Sequence, residues 1–366
     1  MRHWIVALLV FCLLTVEAAW AQKDLARLTG LPPQREDTLT LYIVGDIMSH
    51  GAQTRSAFRS GRANYSTFFH HLESRIREAD VAIGNLEFPL AGKPYTGYPA
   101  FSGPDEYASY LDSLGFDVLL TANNHILDRG SEGLARTLDR LDSLSLFHTG
   151  AARADSLRHP LLLQVKGVTL AVVNLTYGTN LGPTRKSPVV FGLSDWQPLL
   201  QEAAASADIV LVLPHWGLEY HSVHAPEQEA LAREMAAAGA HLIVGTHPHV
   251  VQDFDKLSGM PVFYSLGNAV SNQNDLPARL ELGLRIRIVH RFGASPFLLD
   301  ALPEYLWCTK PGMLEDSYAV IPVRDFLDRQ DAWRVPADYY RMVCTYQAVQ
   351  AATGLPDHEL ITFPPY

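Results

Sequence analysis

Short apolar runs recur along the chain, and most are followed by a polar loop and then by a segment with helical periodicity. Runs that are apolar, or that alternate in polarity, predict strands at residues 39–44, 81–84, 116–120, 161–165, 168–175, 209–213, 242–245, 261–265 and 280–290. Apolar positions spaced three or four residues apart predict helices at residues 66–79, after Pro104, and at residues 131–144, 194–206 and 226–238. This alternation is typical of an α/β fold. Beyond about residue 295 the periodicity weakens.

Polar side chains of the kinds that bind metals follow five of the predicted strands, at the point where each strand ends. They are Asp46, Glu87, Asn124 with His125, His215, and His247 with His249. In α/β folds, ligand sites gather at the carboxyl ends of strands, so we expect these side chains to lie close together. Any one of them alone would be interpreted as a capping or loop residue, but five coincident cases are hard to attribute to chance.

The segment from His241 to His249 carries the highest density of these groups. Its apolar residues predict a short buried strand, and Pro248 stiffens the turn that separates the two histidines. Taken alone, a His-x-His pair is equally consistent with solvated loop histidines. Together with the other strand ends, however, it predicts half of a metal site.

Three histidines, one aspartate, one glutamate and one asparagine exceed the ligands that a single tetrahedral zinc needs, and they suit two divalent ions that share a carboxylate. Mixed oxygen and nitrogen donors fit Mn, Fe or Zn. His125, beside the ligand candidate Asn124, is then free to act as a general acid. Asp128 is expected to orient its imidazole. A role as a carboxylate at a helix N-terminus is an equal alternative for Asp128.

Composition narrows the class of protein. The chain has 366 residues, of which 48% are hydrophobic and 19% charged, with a formal net charge of -10. This is ordinary globular composition, with enough chain for one large domain or two smaller ones. Because no run of Lys and Arg occurs, nucleic acid is not expected as a partner.

The N-terminal segment predicts that the protein is exported from the cytoplasm. A short apolar run ending in Ala19-Trp20-Ala21 predicts a secretory signal peptide at residues 1–21, followed by a linker at residues 22–37. The mature chain is then periplasmic or extracellular, and an uncleaved membrane anchor is the alternative. Cys308 and Cys344 remain after cleavage and are candidates for a disulfide in an oxidising compartment.

Six ordered motifs resemble those of a known family over roughly residues 39–290. They are Gly45-Asp46, Asn85-Leu-Glu87, Asn123-Asn-His125-x-x-Asp128-x-Gly130, His215-Trp-Gly-x-Glu219-Tyr220, Gly245-x-His247-Pro-His249 and Tyr264-Ser-Leu-Gly-Asn268. The family is that of the bacterial capsule synthesis proteins (CapA), linked to poly-γ-glutamate, which is similar to the calcineurin-like metallophosphoesterases. The resemblance implies a four-layer α-β-β-α sandwich, with two packed mixed sheets flanked by helices, for residues 38–294. Residues 295–366 are then a C-terminal extension.

The resemblance also assigns roles. It implies that two divalent ions are held by Asp46, Glu87, Asn124, His215, His247 and His249, with His125 as the general acid. It departs at Met48, where the superfamily usually has a histidine, and this puts one metal position in doubt. We expect substrate binding from Asn85, Trp216 and Asn268, although Asn85 is an alternative ligand to Glu87 and core packing is an equal alternative for Trp216.

The expected function is that of a secreted metal-dependent hydrolase in capsule biosynthesis, acting on a phosphoester or a polymer-type substrate. The alternative is a non-catalytic factor in polymer assembly or export that works with other capsule-synthesis membrane proteins. A carbohydrate- or peptide-binding surface protein is a third hypothesis. Residues 92–103, rich in Gly, Pro and aromatic side chains, are expected to form a surface loop or an aromatic wall over the site.

Overall fold

The computed structural model describes residues 36–154, 158–181, 190–291 and 293–363. The expected signal peptide at residues 1–21 and all but the last two residues of the expected linker lie outside this part of the chain.

Strands β1 to β14 run in chain order through the described residues. They are β1 (Glu36–Ile47), β2 (Val81–Leu86), β3 (Val118–Leu120), β4 (Phe147–Thr149), β5 (Leu161–Val165), β6 (Val168–Thr176), β7 (Ile209–His215), β8 (Leu242–Val244), β9 (Phe254–Leu257), β10 (Met260–Phe263), β11 (Leu280–Arg291), β12 (Phe297–Thr309), β13 (Ala319–Pro322) and β14 (Ile361–Thr362).

Helices α1 to α7 lie between these strands. They are α1 (Gly51–Ala57), α2 (Glu73–Glu78), α3 (Asp105–Leu114), α4 (Gly130–Ser143), α5 (Trp196–Ser206), α6 (Pro226–Ala237) and α7 (Pro336–Thr353). The predicted helix at residues 66–79 begins later than expected, because a 3₁₀ turn at His70–Leu72 precedes α2.

The strands form two mixed sheets. The first has the order β13-β12-β11-β1-β2-β3-β4, with β14 paired to β12, and the second has the order β5-β6-β7-β8-β10-β9. In the first sheet, β1 pairs parallel to β2 and antiparallel to β11. In the second, β6, β7, β8 and β10 are parallel neighbours, and β5 and β9 are antiparallel at the edges. The mixed sheets expected from the resemblance are therefore present.

The side chains of β1 point alternately into two different cores, and this shows how the layers of the fold are stacked. Leu41 and Ile43 point into a core shared with strands of the second sheet, whereas Tyr42 and Val44 point into a core that includes residues of α1, α2 and α3. Successive side chains of a strand face opposite sides of its sheet, so these two cores lie on opposite faces. A third core joins the outer face of the second sheet to α5 and α6. The result is the predicted four-layer arrangement of two packed sheets flanked by helices.

The hairpin between β5 and β6 turns where the sequence predicts it. Lys166 and Gly167 both have positive φ, 49° and 79°, as a two-residue hairpin loop requires. The register Val165↔Val168 closes the ladder directly beside this turn.

The C-terminal segment is part of the first sheet and does not merely pack against it. β12 pairs with β11 from Leu280↔Trp307 to Val289↔Phe297, so the expected boundary at residue 294 falls in the turn of a long hairpin. β12 carries buried Asp300 and Glu304, which interrupt its apolar pattern.

These buried carboxylates are stabilised by partners that are distant in sequence or lie on the neighbouring strand. Arg287 Nε donates to Asp300 Oδ1 at 2.8 Å. Tyr42 Oη and Arg75 Nε donate to the two oxygens of Glu304, at 3.1 and 2.7 Å. Since charge-assisted hydrogen bonds offset the cost of burial, the strand tolerates acidic residues at positions where periodicity expects apolar ones.

The candidate disulfide between Cys308 and Cys344 is not formed. Both are free cysteines in the described structure, Cys308 buried on β12 and Cys344 exposed on α7. Burial raises the pKa of the Cys308 thiol to about 11, which keeps it protonated and unreactive.

Helix α7 is docked by a buried ion pair. Arg279 Nη1 and Nη2 donate to the two oxygens of Asp338, each at 2.8 Å, and Nε donates to the carbonyl of Cys308 at 3.1 Å. The guanidinium also lies 4.3 Å from the centre of the Trp307 ring. Within the described residues, no helix, α7 included, is both long and apolar enough to cross a membrane.

Replacing Asp338 by Ala should destabilise the protein by about 3–5 kcal/mol, because the change leaves the Arg279 guanidinium buried without its counter-charge. Asp316→Ala is the matched control, since Asp316 pairs with Arg334 but is 83% exposed. Urea unfolding followed by circular dichroism should show a lower midpoint for the first variant alone. Equal midpoints would contradict a structural role for the buried pair.

Candidate metal centre

Strands from both sheets deliver the predicted ligands to one buried centre. Asp46 lies at the end of β1 and Glu87 just after β2, whereas His215 ends β7. His247 and His249 follow β8 on a loop, and Asn124 follows β3. All six residues are at most 4% exposed. The structure thus brings together the whole predicted ligand set.

Asp46 is held from several directions. Its Oδ1 accepts from Asn85 Nδ2 at 2.6 Å, and its Oδ2 accepts from the backbone N–H of His247 at 3.1 Å. The Nδ1 atom of His249 lies 3.5 Å from Oδ2. Burial alone would raise the pKa of Asp46, but the contact with His249 and the hydrogen bond from Asn85 lower that pKa below its ordinary range. Asp46 is therefore a carboxylate anion in a buried setting.

Glu87 is the unsatisfied group of the centre. Neither of its carboxylate oxygens has a hydrogen-bond partner among the described residues, and the side chain is fully buried. Its Oε1 lies 3.6 Å from His215 Nε2 and 3.9 Å from His249 Nε2. Burial and the neighbouring charge of Asp46 raise the pKa of Glu87 well above its ordinary value.

His215 occupies the middle of the group. Its Nδ1 lies 3.0 Å from Thr246 Oγ1, and its Nε2 lies 2.9 Å from Asn124 Oδ1. Burial, followed by the nearby His247, lowers the pKa of His215 well below its ordinary value. A neutral imidazole is the form that binds a metal.

The loop after β8 adopts an unusual backbone to present its two imidazoles. His247 and His249 have φ of 100° and 60°, values that residues other than glycine rarely adopt. Asn268 Oδ1 accepts from His249 Nδ1 at 2.9 Å, which leaves Nε2 of that ring without a proton. Burial lowers the pKa of His247 to about 3, and its Nδ1 has no hydrogen-bond partner among the described residues.

His125 and Asp128 form a dyad beside these ligands. Asp128 Oδ2 accepts from His125 Nδ1 at 2.7 Å, and the amide of Asn180 donates to the other oxygen of Asp128 at 3.1 Å. Asp128 also accepts from the backbone N–H of Phe101 at 2.8 Å. Of the two alternatives for Asp128, the contacts are those of a residue that orients His125.

The three residues expected to bind substrate are held by contacts with the protein itself, and Trp216 takes its alternative role of core packing. Asn85 is fully buried and donates to Asp46, and Asn268 is fully buried and orients His249 while donating to the carbonyl of Ala278 at 2.9 Å. Trp216 lies in the outer core of the second sheet, where its indole N–H donates to the carbonyl of Tyr264 at 3.0 Å. These residues position ligands or pack, because burial removes them from contact with a substrate.

Met48 does not contribute to the centre. Its side chain is buried in the core on the outer face of the first sheet. The His50 ring lies edge-on to Phe101, with 5.4 Å between the ring centres. Phe101 in turn lies edge-on to His125, with 4.6 Å between the ring centres. Burial lowers the pKa of His50 to about 4, and its Nδ1 lies 3.1 Å from Gln53 Oε1. Phe101 is the member of the 92–103 loop that covers the dyad.

Several residues that shape the centre carry no ligand-type motif in the sequence. Asn174 Oδ1 accepts from the backbone of Thr121 and Ala122, at 3.1 and 2.7 Å, and so fixes the loop that carries Asn124. Tyr177 lies 4.4 Å from the ring of His247, and Tyr220 lies 5.9 Å from the ring of His249. Both tyrosines are about half exposed and form part of the mouth of the site. The sequence signal for Tyr177 is its position after β6, whereas Tyr220 also ends the fourth family motif.

The side chains present fit divalent metal ions. Ligand atoms of Asp46, Glu87 and His215 lie within 4.8 Å of one another. The atoms of the centre that have no hydrogen-bond partner among the described residues are the two oxygens of Glu87 and Nδ1 of His247, and carboxylate oxygens and imidazole nitrogens are both metal ligands. Carboxylate, amide oxygen and imidazole donors together suit Mn, Fe or Zn.

Comparison with known proteins connects this centre to a family. Residues 40–273 match the model of the bacterial capsule synthesis protein PGA_cap. The chain is 31% identical to the capsule biosynthesis protein CapA of Bacillus anthracis, over 74% of this chain and 69% of that one. It is also 31% identical to the PGA biosynthesis protein CapA of Bacillus subtilis (strain 168), over 74% and 73% of the two chains.

More distant similarities extend the comparison. A probable polyglutamine synthesis accessory protein of Mycobacterium tuberculosis is 26% identical over 51% of this chain and 53% of its own. Among solved structures, a hypothetical protein from Thermus thermophilus has a TM-score of 0.45 at 17% identity, covering 73% of this chain and 98% of that one. The NAD nucleotidase of Haemophilus influenzae has a TM-score of 0.44 at 13% identity, covering 89% and 65%.

The family match spans the strands and loops that build the buried centre, and the two Bacillus relatives align with most of the chain. The protein therefore belongs to the bacterial capsule synthesis (CapA, PGA_cap) family.

Proposed function

We propose that this protein is a secreted, metal-dependent hydrolase that acts in the biosynthesis of a capsule or a related extracellular polymer. The observation that carries the proposal is the buried Glu87 carboxylate, whose two oxygens have no hydrogen-bond partner among the described residues. An isolated buried carboxylate costs several kcal/mol, so Glu87 alone stays protonated, as its raised pKa indicates, whereas a bound cation stabilises the charged form that acts as a ligand.

Among the described residues, no lysine or arginine lies within ion-pair distance of Glu87. The Nε2 atoms of His215 and His249 lie 3.6 and 3.9 Å from Glu87 Oε1, which is beyond hydrogen-bond distance. Protonating His215 is opposed by its burial, which lowers its pKa. Divalent cations held by Asp46, Glu87, Asn124 and the three ligand histidines satisfy the orphaned atoms without a buried imidazolium.

Two such ions supply a polarised substrate oxygen and a water of lowered pKa, which is the chemistry of ester and phosphoester hydrolysis. The chain provides the geometry. Asn85 and the backbone of His247 fix both oxygens of Asp46, and Asn268 fixes the ring of His249. Ligands oriented by such hydrogen bonds need little reorganisation when a substrate binds.

His125 is placed to move a proton. Asp128 accepts from Nδ1 and therefore keeps that atom protonated, so the imidazolium form carries its second proton on Nε2 and delivers it to the leaving oxygen or nitrogen, returning to the neutral imidazole. Phe101 packs against the imidazole and limits the access of water from that side. Asn180 and the backbone of Phe101 hold Asp128 in turn, so the dyad is rigid.

The substrate that we propose is a phosphoester or a polymer-linked ester or amide. Its support is the family, since the relatives in Bacillus are a capsule biosynthesis protein and a PGA biosynthesis protein. The half-exposed Tyr177 and Tyr220 beside the ligand histidines give the mouth an apolar rim along which a polymer chain can lie.

A second candidate function is a non-catalytic factor in polymer assembly or export. The observation that favours it is Met48, which is buried in the core at a position where the metallophosphoesterases usually have a ligand. With one ligand fewer, an ion binds more weakly, and the centre becomes a structural element.

The double variant His247→Ala/His249→Ala should bind two fewer divalent ions per chain than the native protein, because both imidazoles of the rigid loop are lost. Mass spectrometry of metal content, after purification without chelator and equilibration with Mn²⁺, measures this difference. His159→Ala is the control, since that histidine is exposed and paired with Glu202. A loss of one ion means that the native centre binds only one ion, because Met48 replaces a ligand of the second. No loss would contradict the proposal that these residues bind metal.

His125→Ala should retain its metal and lose about 10²–10⁴ in turnover, the usual contribution of a general acid. The loss should depend on the leaving group, because a good leaving group departs without a proton. We expect a large effect on an alkyl phosphodiester or a peptide amide and a small one on the corresponding p-nitrophenyl substrate. Steady-state rates of the native protein and the variant on both substrates test this, and an equal loss on the two would contradict the assignment.

The two candidate functions predict different amounts of polymer in cells that carry the His125→Ala variant. If the protein is a hydrolase, a strain that carries only the His125→Ala variant should make as little polymer as a deletion strain. If it is an assembly factor, that variant should restore polymer to the native amount. Polymer released per cell, measured at matched protein levels, decides between them.

A further inference from the structure

A second cluster of ligand-type side chains lies outside the buried centre. His70 and His71 form the 3₁₀ turn before α2, and Glu315 lies in the loop between β12 and β13. The ligand atoms of the three residues are all within 4.8 Å of one another. None of the three belongs to the predicted ligand set.

The three side chains converge on one point. Glu315 Oε1 lies 2.8 Å from His71 Nε2 and 3.2 Å from His70 Nε2. The two imidazole rings are 3.9 Å apart between their centres. The side chains are 37%, 26% and 25% exposed for His70, His71 and Glu315, so an ion from solvent can reach them.

A backbone contact fixes the proton of His70. Its Nδ1 lies 2.7 Å from the carbonyl oxygen of Thr67, and because a carbonyl only accepts, Nδ1 must carry a hydrogen. A neutral His70 therefore has its lone pair on Nε2, and that lone pair faces a carboxylate oxygen at 3.2 Å. Two lone pairs at this distance repel, so a positive charge has to lie between them. An imidazole whose far nitrogen donates to a carbonyl is the usual arrangement of a metal-binding histidine.

The cluster is also held in place before any ion arrives. Val320 N–H donates to the carbonyl of Phe68 at 2.8 Å, and Thr67 Oγ1 donates to the carbonyl of Tyr318 at 2.9 Å. The His71 ring stands edge-on to Phe326 at 5.3 Å. The turn and the loop that carry the ligands are thus joined independently of the ligands, which lowers the entropy cost of binding.

We propose that His70, His71 and Glu315 bind one zinc ion, with further coordination positions open to solvent. Two imidazoles and one carboxylate are a common donor set for zinc, and three protein ligands leave room for water. The ion neutralises Glu315 and connects the turn before α2, in the first half of the chain, to the loop that leads into β13. It acts as a clip between two distant segments and is separate from the hydrolytic centre.

The test is a substitution that removes one ligand and keeps its shape. Glu315→Gln in the full chain is compared with Asp316→Asn, a change of the same kind at the next residue, whose side chain is 83% exposed. Each protein is equilibrated with Zn²⁺ and dialysed, and zinc per chain and the unfolding temperature with and without zinc are measured. We expect Glu315→Gln to bind one zinc ion fewer than the native protein and to lose part of the zinc-dependent rise in unfolding temperature. Asp316→Asn should match the native protein.

A second pair of measurements keeps this site distinct from the central one. The His247→Ala/His249→Ala variant should retain the ion at Glu315, and His70→Ala introduced into that variant should remove it. A zinc anomalous-scattering peak between His70, His71 and Glu315 would locate the ion directly. If Glu315→Gln and the native protein bind the same amount of zinc, the proposal is overturned, and the charge between the side chains is then a proton on His70.

Discussion

The buried carboxylate of Asp46 is the group on which the rest of the site depends, because its partners come from both sheets. Asn85 holds one oxygen from the neighbouring strand of the first sheet, and the loop after β8 of the second sheet holds the other. Gly45 permits this meeting, since a Cβ there would lie 1.9 Å from the carbonyl oxygen of Gly267. The relative position of carboxylates and imidazoles is therefore set by how the two sheets dock, and not by any single loop.

The sequence predicted most of the first 290 residues of the fold because those strands are apolar and end at clear turns. The β5–β6 hairpin at Lys166-Gly167 is an example in which local chemistry decides the structure. Residues 297–309 were not predicted, since Asp300 and Glu304 break the apolar pattern of β12 and are stabilised by Arg287, Arg75 and Tyr42. Helix α7 was missed for a similar reason: its buried face includes Asp338, Thr345 and Thr353. The packing of two sheets followed from the resemblance and not from periodicity.

The ligand set could be predicted because each member follows a strand, and parallel strands bring their carboxyl ends to one edge. Proximity to a ligand motif in the sequence could not distinguish residues that contact a substrate from residues that position a metal ligand. Asn85, Trp216 and Asn268 all adjoin ligand motifs, yet each is at most 1% exposed and bonded to the protein. Tyr177, Asn180 and Phe101 complete the site through contacts across the fold, for which the sequence carries no periodic signal.

The order of the strands has a consequence for synthesis of the chain. β1 is paired on one side with β2 and on the other with β11, and the bond between His247 and Asp46 spans 201 residues. Contacts that are so distant in sequence cannot form until most of the chain has been made, since the loop between them must first exist and close. During synthesis β1 therefore lacks its neighbour β11 until translation has passed Arg291, and the ligands cannot all meet until it has passed His249. The metal ligands therefore come together late in folding, and only when the two sheets have packed against each other.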